Sequence, residues 1–142
     1  MVGKFESLTK YLPYLDTDSI GKWVFDREND GSPEHPKQMP YISYSQMVNS
    51  FVSDVFDFTK TNKDLDTFAC IAILNQNNIN YRSNKAMSET DVSKLDADCV
   101  FSLFVGAIQM ERFCDGVLSS FFKNGSIRKW LERLKEIDEA AE

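Results

Sequence analysis

This chain has one histidine, three cysteines and no surplus of basic residues, and each shortage removes a class of function. His35 is alone, so no histidine pair can hold a metal or build a relay. Cys70, Cys99 and Cys114 are odd in number, and no two form a C-x-x-C pair. A Cys3His zinc site would need ligand spacings that are absent. All three cysteines lie in apolar helical surroundings and read as reduced core thiols of a cytoplasmic protein. Sixteen Lys and Arg face 22 Asp and Glu, a formal net charge of -6. A chain of that sign has no general attraction to nucleic-acid phosphates or to anionic membranes, and it suits a basic partner. The opening residues MVGKFESLTK lack an apolar segment of the kind that marks a secretory leader.

What the chain has is one uncharged stretch, residues 99–110, CVFSLFVGAIQM. Only Ser102 and Gln109 are polar, and the apolar side chains point all round a 3.6-residue repeat. A helix here is buried on every side. It is too short to cross a bilayer, which takes roughly 20 apolar residues. The expected fold is mainly α: one compact helical domain, residues 1–142, packed around a central buried helix at about 96–113. A hydrophobic fraction of 42% and 11 phenylalanines supply its core.

Around that helix, residues 4–16 place Phe5, Leu8, Leu12 and Leu15 on one face, with Pro13 ending the helix near Leu12. Residues 22–26 read as a strand. Residues 27–39, RENDGSPEHPKQM, form a loop, and 40–42 return as a second strand, giving one short β-hairpin at about 22–42. Ser43 or Ser45 caps a helix at about 45–60 with Met47, Val48, Phe51, Val52, Val55 and Phe56 on its face. A shorter helix at 67–77 is built on Phe68, Ile71, Ala72 and Leu74, and 75–85 is an Asn-rich loop. Ser93 or Asp96 caps the central helix. A short helix covers 117–123, with Asn124-Gly125 as its C-cap pair. A terminal helix at 126–138, capped by Ser126, carries the stripe Ile127, Trp130, Leu131, Leu134 and Ile137. Its charged residues, Arg128 to Glu136, form a solvated face. The seam Ile127, Trp130, Leu134, Ile137 spans only two heptads and packs on its own core rather than in a coiled coil.

Two places carry candidate chemistry. The hairpin loop Asp26, Glu28, Asp30, Gly31, Glu34 is similar to the start of a calcium-binding EF-hand loop. The closing position is Lys37 instead of a bidentate Glu, and prolines replace the flanking helix, so no metal site is expected. The second place is Glu111-Arg112-Phe113, where two opposite charges follow directly on the uncharged run. Adjacent helical residues point about 100° apart, so the two need separate partners. Arg112 shares a face with Phe101, Val105 and Ile108, which predicts a buried stem. Two roles fit. Arg112 can form a buried ion pair with Asp115, Asp98 or Asp26 that locks the helix ends. Alternatively, it can hold a carboxylate or phosphate in a polar pocket built with Glu111, Trp23, Asp26 and Arg27. No P-loop, G-x-G-x-x-G, G-x-S-x-G or H-E-x-x-H is present, and Cys114 has no local activator, so no reaction is indicated and no cofactor is expected.

The segments GKWVFDRENDGSPEHP, YSQMVNSF, ERFCDG and FFKNGSIRKWLERL resemble a family of small bacterial proteins classed as a domain of unknown function. The similarity runs from about Gly21 to Ile137. Its E-R-F-x-x-G, Gly and L-x-R-L pattern falls on Glu111, Arg112, Phe113, Gly116, Gly125, Leu131, Arg133 and Leu134. The resemblance implies a bacterial or phage source and a cytoplasmic location, and it implies no reaction. The expected function is a non-enzymatic interaction module binding another protein or a second copy of itself. The alternative is a small-molecule or anion site around Arg112, Glu111 and the hairpin.

Overall fold

The computed structural model describes residues 3–17 and 19–141. In chain order the elements are α1 (Glu6–Thr9), β1 (Gly21–Val24), β2 (Tyr41–Tyr44), α2 (Gln46–Thr61), α3 (Thr67–Gln76), α4 (Asn84–Ser88), α5 (Ala97–Glu111), α6 (Val117–Lys123) and α7 (Ser126–Ala141). Short 3-10 turns lie at Leu12–Tyr14, Lys63–Leu65 and Val92–Lys94. The architecture is mainly α with one two-stranded antiparallel hairpin, as expected.

α5 is the axis of the fold. Every residue from Cys99 to Ile108 is buried, and the Asp96 carboxylate caps the helix by accepting from the Cys99 N–H at 2.9 Å. α3, α6 and α7 pack around it. Gly106 sets one of these approaches. A Cβ there would lie 2.9 Å from Leu74 Cδ1 and 3.2 Å from Met87 Cε, so α3 and α4 close on the helix only because the side chain is missing. On the other side the rings interlock. Phe58 lies 4.6 Å from Phe101, Phe51 lies 5.6 Å from Phe104, and Phe104 meets Trp130 edge-on at 5.4 Å. Trp130 is fully buried and its Nε1 has no hydrogen-bond partner among the described residues. Phe104 and Phe121 flank the indole with ring centres at 5.4 Å.

Several details differ from the sequence reading. α3 buries Cys70 and Leu74, whereas Phe68 is 89% exposed and Ala72 faces solvent. The helix is apolar nearly all round, so periodicity alone cannot choose its face, and the groove at Gly106 chooses Leu74. α4 begins at the end of the Asn-rich stretch and runs past it to Ser88, capped by Ser83 and anchored by the single buried side chain of Met87. Ser126 is the first residue of α7 and is buried. Its N–H is satisfied by Asn124 Oδ1 at 2.9 Å, so Asn124 does the capping, while Gly125 turns the chain at φ +86°. The charged face of α7 is only partly solvated. Lys129 Nζ donates to the Ser88 and Thr90 carbonyls at 2.7 and 3.1 Å, Arg133 donates to the Leu95 carbonyl at 3.0 Å, and Arg128 pairs with Asp16 at 2.6 Å. Among the three cysteines, Cys70 and Cys99 are buried thiols, but Cys114 is exposed at the turn after α5. Among the described residues, no helix is long and apolar enough to cross a membrane.

Candidate functional site

The chain doubles back sharply between α5 and α6, and that turn is fastened to the hairpin. The fastening starts from Glu111, the last residue of α5. Its carboxylate accepts from Tyr44 Oη at 2.6 Å, from the Gly116 N–H at 3.0 Å and from the Leu118 N–H at 2.9 Å. Tyr44 Oη in turn accepts from the Ser119 N–H at 3.1 Å. Three backbone donors that open α6 are therefore satisfied by two side chains from other elements. Burial, and next the bond to Glu111, push the Tyr44 phenol well above its ordinary range.

Gly116 supplies a second fastening. It sits at φ +92°, and a Cβ on it would fall 2.5 Å from Cζ2 of Trp23. The indole therefore rests on bare backbone. The β1–β2 register pairs Gly21 with Tyr44 and Trp23 with Ile42, so Trp23 and Tyr44 leave the same face of the hairpin and reach the same turn.

Arg112 behaves differently from Glu111. The regular helix stops at Glu111, and the next N–H groups tighten onto Gln109 and Met110. The Arg112 side chain is exposed, with no hydrogen bond or ion pair among the described residues. The expected buried stem and helix-locking ion pair are not formed. The locking is done by Glu111, with N–H groups and a phenol as partners instead of a cation. Arg112 instead lines an open cleft of about 420 Å³ between β2, α2 and α5, together with Asp115, Asn49 and Tyr41. Val52, Phe56 and Ile108 form its apolar wall.

Of the five candidate site residues, Trp23 and Glu111 meet at the Gly116 turn and Arg112 stands beside them. Asp26 and Arg27 lie further along the hairpin and do not line the cleft. Asp26 is committed to the loop. One carboxylate oxygen accepts from the Glu28 and Asn29 N–H groups, and the other from Asn29 Nδ2 at 2.9 Å and the Gln38 N–H at 2.8 Å. The Asn29 side chain leads this set, which holds the carboxyl well below the usual carboxylate range. Asp30 turns to the Ser32 N–H at 2.9 Å. Asp26 and Asp30 thus face the loop's own backbone, and among the described residues no three His, Cys, Asp or Glu side chains gather as a metal site. His35 is at the hairpin tip, bridged to Ser32. Sequence reasoning missed Tyr44. An aromatic residue at a strand end carries no local sign that its hydroxyl closes a contact 67 residues away.

The fold and this turn together define a helical domain whose hairpin is latched onto the end of its central helix. The chain belongs to a family of unknown function (DUF6508), which matches residues 2–140. No curated protein and no solved structure is detectably similar to it.

Proposed function

We propose that the domain is a binding module that engages a basic, partly apolar protein segment through its hairpin platform. One observation carries this reading. Of the seven large hydrophobic side chains exposed among the described residues, five belong to the hairpin or to the turn it is latched to: Trp23, Phe25, Met39, Tyr41 and Phe113. Met39 and Phe113 are 85% and 89% exposed. Apolar side chains concentrated on one part of a surface mark interaction sites, and aromatic residues and Met are the types enriched there. The loop beside them carries Asp26, Glu28, Asp30 and Glu34 against Arg27 and Lys37, so charge complementarity selects a basic partner.

The chain reports on its own binding. It has two tryptophans, Trp130 fully buried and Trp23 half exposed on the platform. Titration with a synthetic peptide of alternating leucine and lysine should shift the emission to the blue and saturate. The matched leucine-glutamate peptide should give no change. The double variant Met39→Ser/Phe113→Ser, which replaces two exposed side chains and no buried one, should lose the response. An equal response to both peptides, or none to either, overturns the reading.

A further inference from the structure

The cleft beside Arg112 shares Tyr41 with the hairpin platform but differs from it in chemistry. Three charged residues line it, Glu111, Arg112 and Asp115, and the last two are of opposite sign. These two stand three residues apart, close enough in sequence to pair, yet neither side chain has a hydrogen bond or ion pair among the described residues. The third charge, Glu111, is already taken up by Tyr44 and two backbone N–H groups. The wall behind them is apolar, formed by Val52, Phe56 and Ile108. A simple anion would meet Arg112 but also two carboxylates, and a simple cation would meet Arg112 itself. Neither matches the site.

We propose that this cleft binds a free α-amino acid with an apolar side chain. The guanidinium of Arg112 takes the α-carboxylate through its planar fork of donors, which suits a carboxylate bidentately. Asp115 takes the α-ammonium, and the apolar wall takes the side chain. The volume of about 420 Å³ lies within the range of small-molecule sites, and an apolar wall with a few polar groups at the mouth is their usual composition. Arg112 and Asp115 are both exposed to water at the cleft. An amino acid pairs with both at once, and each of its close chemical relatives leaves one of them to solvent alone.

Calorimetric titration of the full chain with L-phenylalanine is the test, alongside phenylalaninamide, which lacks the carboxylate, and N-acetylphenylalanine, which lacks the ammonium. L-phenylalanine should bind, and each analogue should bind at least about tenfold more weakly, a difference of roughly 1.4 kcal/mol. Arg112→Ala should abolish the preference for the acid over the amide, and Asp115→Asn the preference for the free over the acetylated amine. Both variants should keep the parent melting temperature, since neither side chain is bonded within the protein. No saturable heat from L-phenylalanine taken to about 10 mM, tenfold above a Kd of about 1 mM, overturns the proposal. Equal binding of all three compounds overturns it as well. Equal binding of N-acetylphenylalanine and phenylalanine removes Asp115 from the site, marks it as one for peptide carboxyl ends, and so refutes the amino acid assignment. Met39→Ser/Phe113→Ser leaves the cleft lining intact, so the platform and the cleft fail or stand separately.

Discussion

The phenol of Tyr44 reaches across 67 residues to donate to the Glu111 carboxylate at 2.6 Å, and this bond joins the hairpin to both helices of the α5–α6 turn. Together with the seat of Trp23 on Gly116, it makes the small sheet part of the helical body, since a lone two-stranded hairpin is marginal in water.

Removing the acceptor should therefore be costly. Glu111→Ala strands the Tyr44 hydroxyl and the Gly116 and Leu118 N–H groups in a partly buried place, and should cost about 3 kcal/mol. Tyr44→Phe, which leaves Glu111 its two backbone donors, should cost about 1–2 kcal/mol. The double variant should lose less than the sum, because both remove the same bond. Urea denaturation of the three variants measures this, and strict additivity would separate Tyr44 from the latch.

Arg112→Ala should change stability by less than about 0.5 kcal/mol, as at ordinary surface positions. The adjacent residues thus divide by role, and the same urea series shows it directly. A loss of several kcal/mol would mean that Arg112 has an internal partner.

Gly116→Ala tests the seat of the indole. The left-handed backbone costs about 1–3 kcal/mol for a residue with a Cβ. That Cβ also displaces Trp23 from its contact. Trp130 stays buried, so the predicted sign is a red shift of the Trp23 emission together with a lowered denaturation midpoint.

Thiol chemistry should split the cysteines. Burial pushes Cys70 and Cys99 up to about 11, whereas Cys114 is exposed. At pH 8 the native protein should release one equivalent of colour from Ellman's reagent, and three after unfolding. Three fast equivalents in the native state would contradict the packing of α3 on α5.

The same shifts set the alkaline limit. Cys70, Cys99, Tyr11 and Tyr44 all hold their protons more tightly folded than unfolded. Their contribution is therefore complete below the unfolded values, about 8.5 for thiols and about 10 for phenols, and declines as pH rises past them. Unfolding free energy should be level from about pH 7 to 8 and fall above about 9. Tyr44→Phe should make the fall above pH 10 shallower. A rise in stability over that interval would reverse the sign and refute the burial argument.

The helices were legible where local chemistry decides them. The uncharged run is interior over Cys99 to Ile108, and Asp96 is a capping residue at the right offset. By contrast, α1 already ends at Thr9, and Pro13 sits inside the 3-10 turn Leu12–Tyr14 instead of stopping a helix. The hairpin was legible from Gly21 and the loop residues between two aromatic strands. The latch was not. Whether Glu111 or Arg112 turns inward depends on where α5 stops, and that is fixed by donors on a later helix and by a tyrosine on an earlier strand. Phe68 misled for a related reason, since a helix that is apolar all round keeps its solvent face hidden until its neighbour is placed. Met87 shows the converse, one buried side chain sufficient to settle five residues as α4.

The bond from Asp26 to the Gln38 N–H makes the outer end of the hairpin a replaceable cassette. Its two ends are joined below the tip, over a sequence separation of 12, so the residues between them do not hold the strands in register. Doubling such a loop costs only about 0.6 kcal/mol of closure entropy. The tip can thus change in length and charge at little thermodynamic cost, whereas a change at Trp23 or Tyr44 loosens the latch itself. Diversity within this scaffold should accumulate between residues 27 and 37, where foreign peptides could be grafted without disturbing the helices.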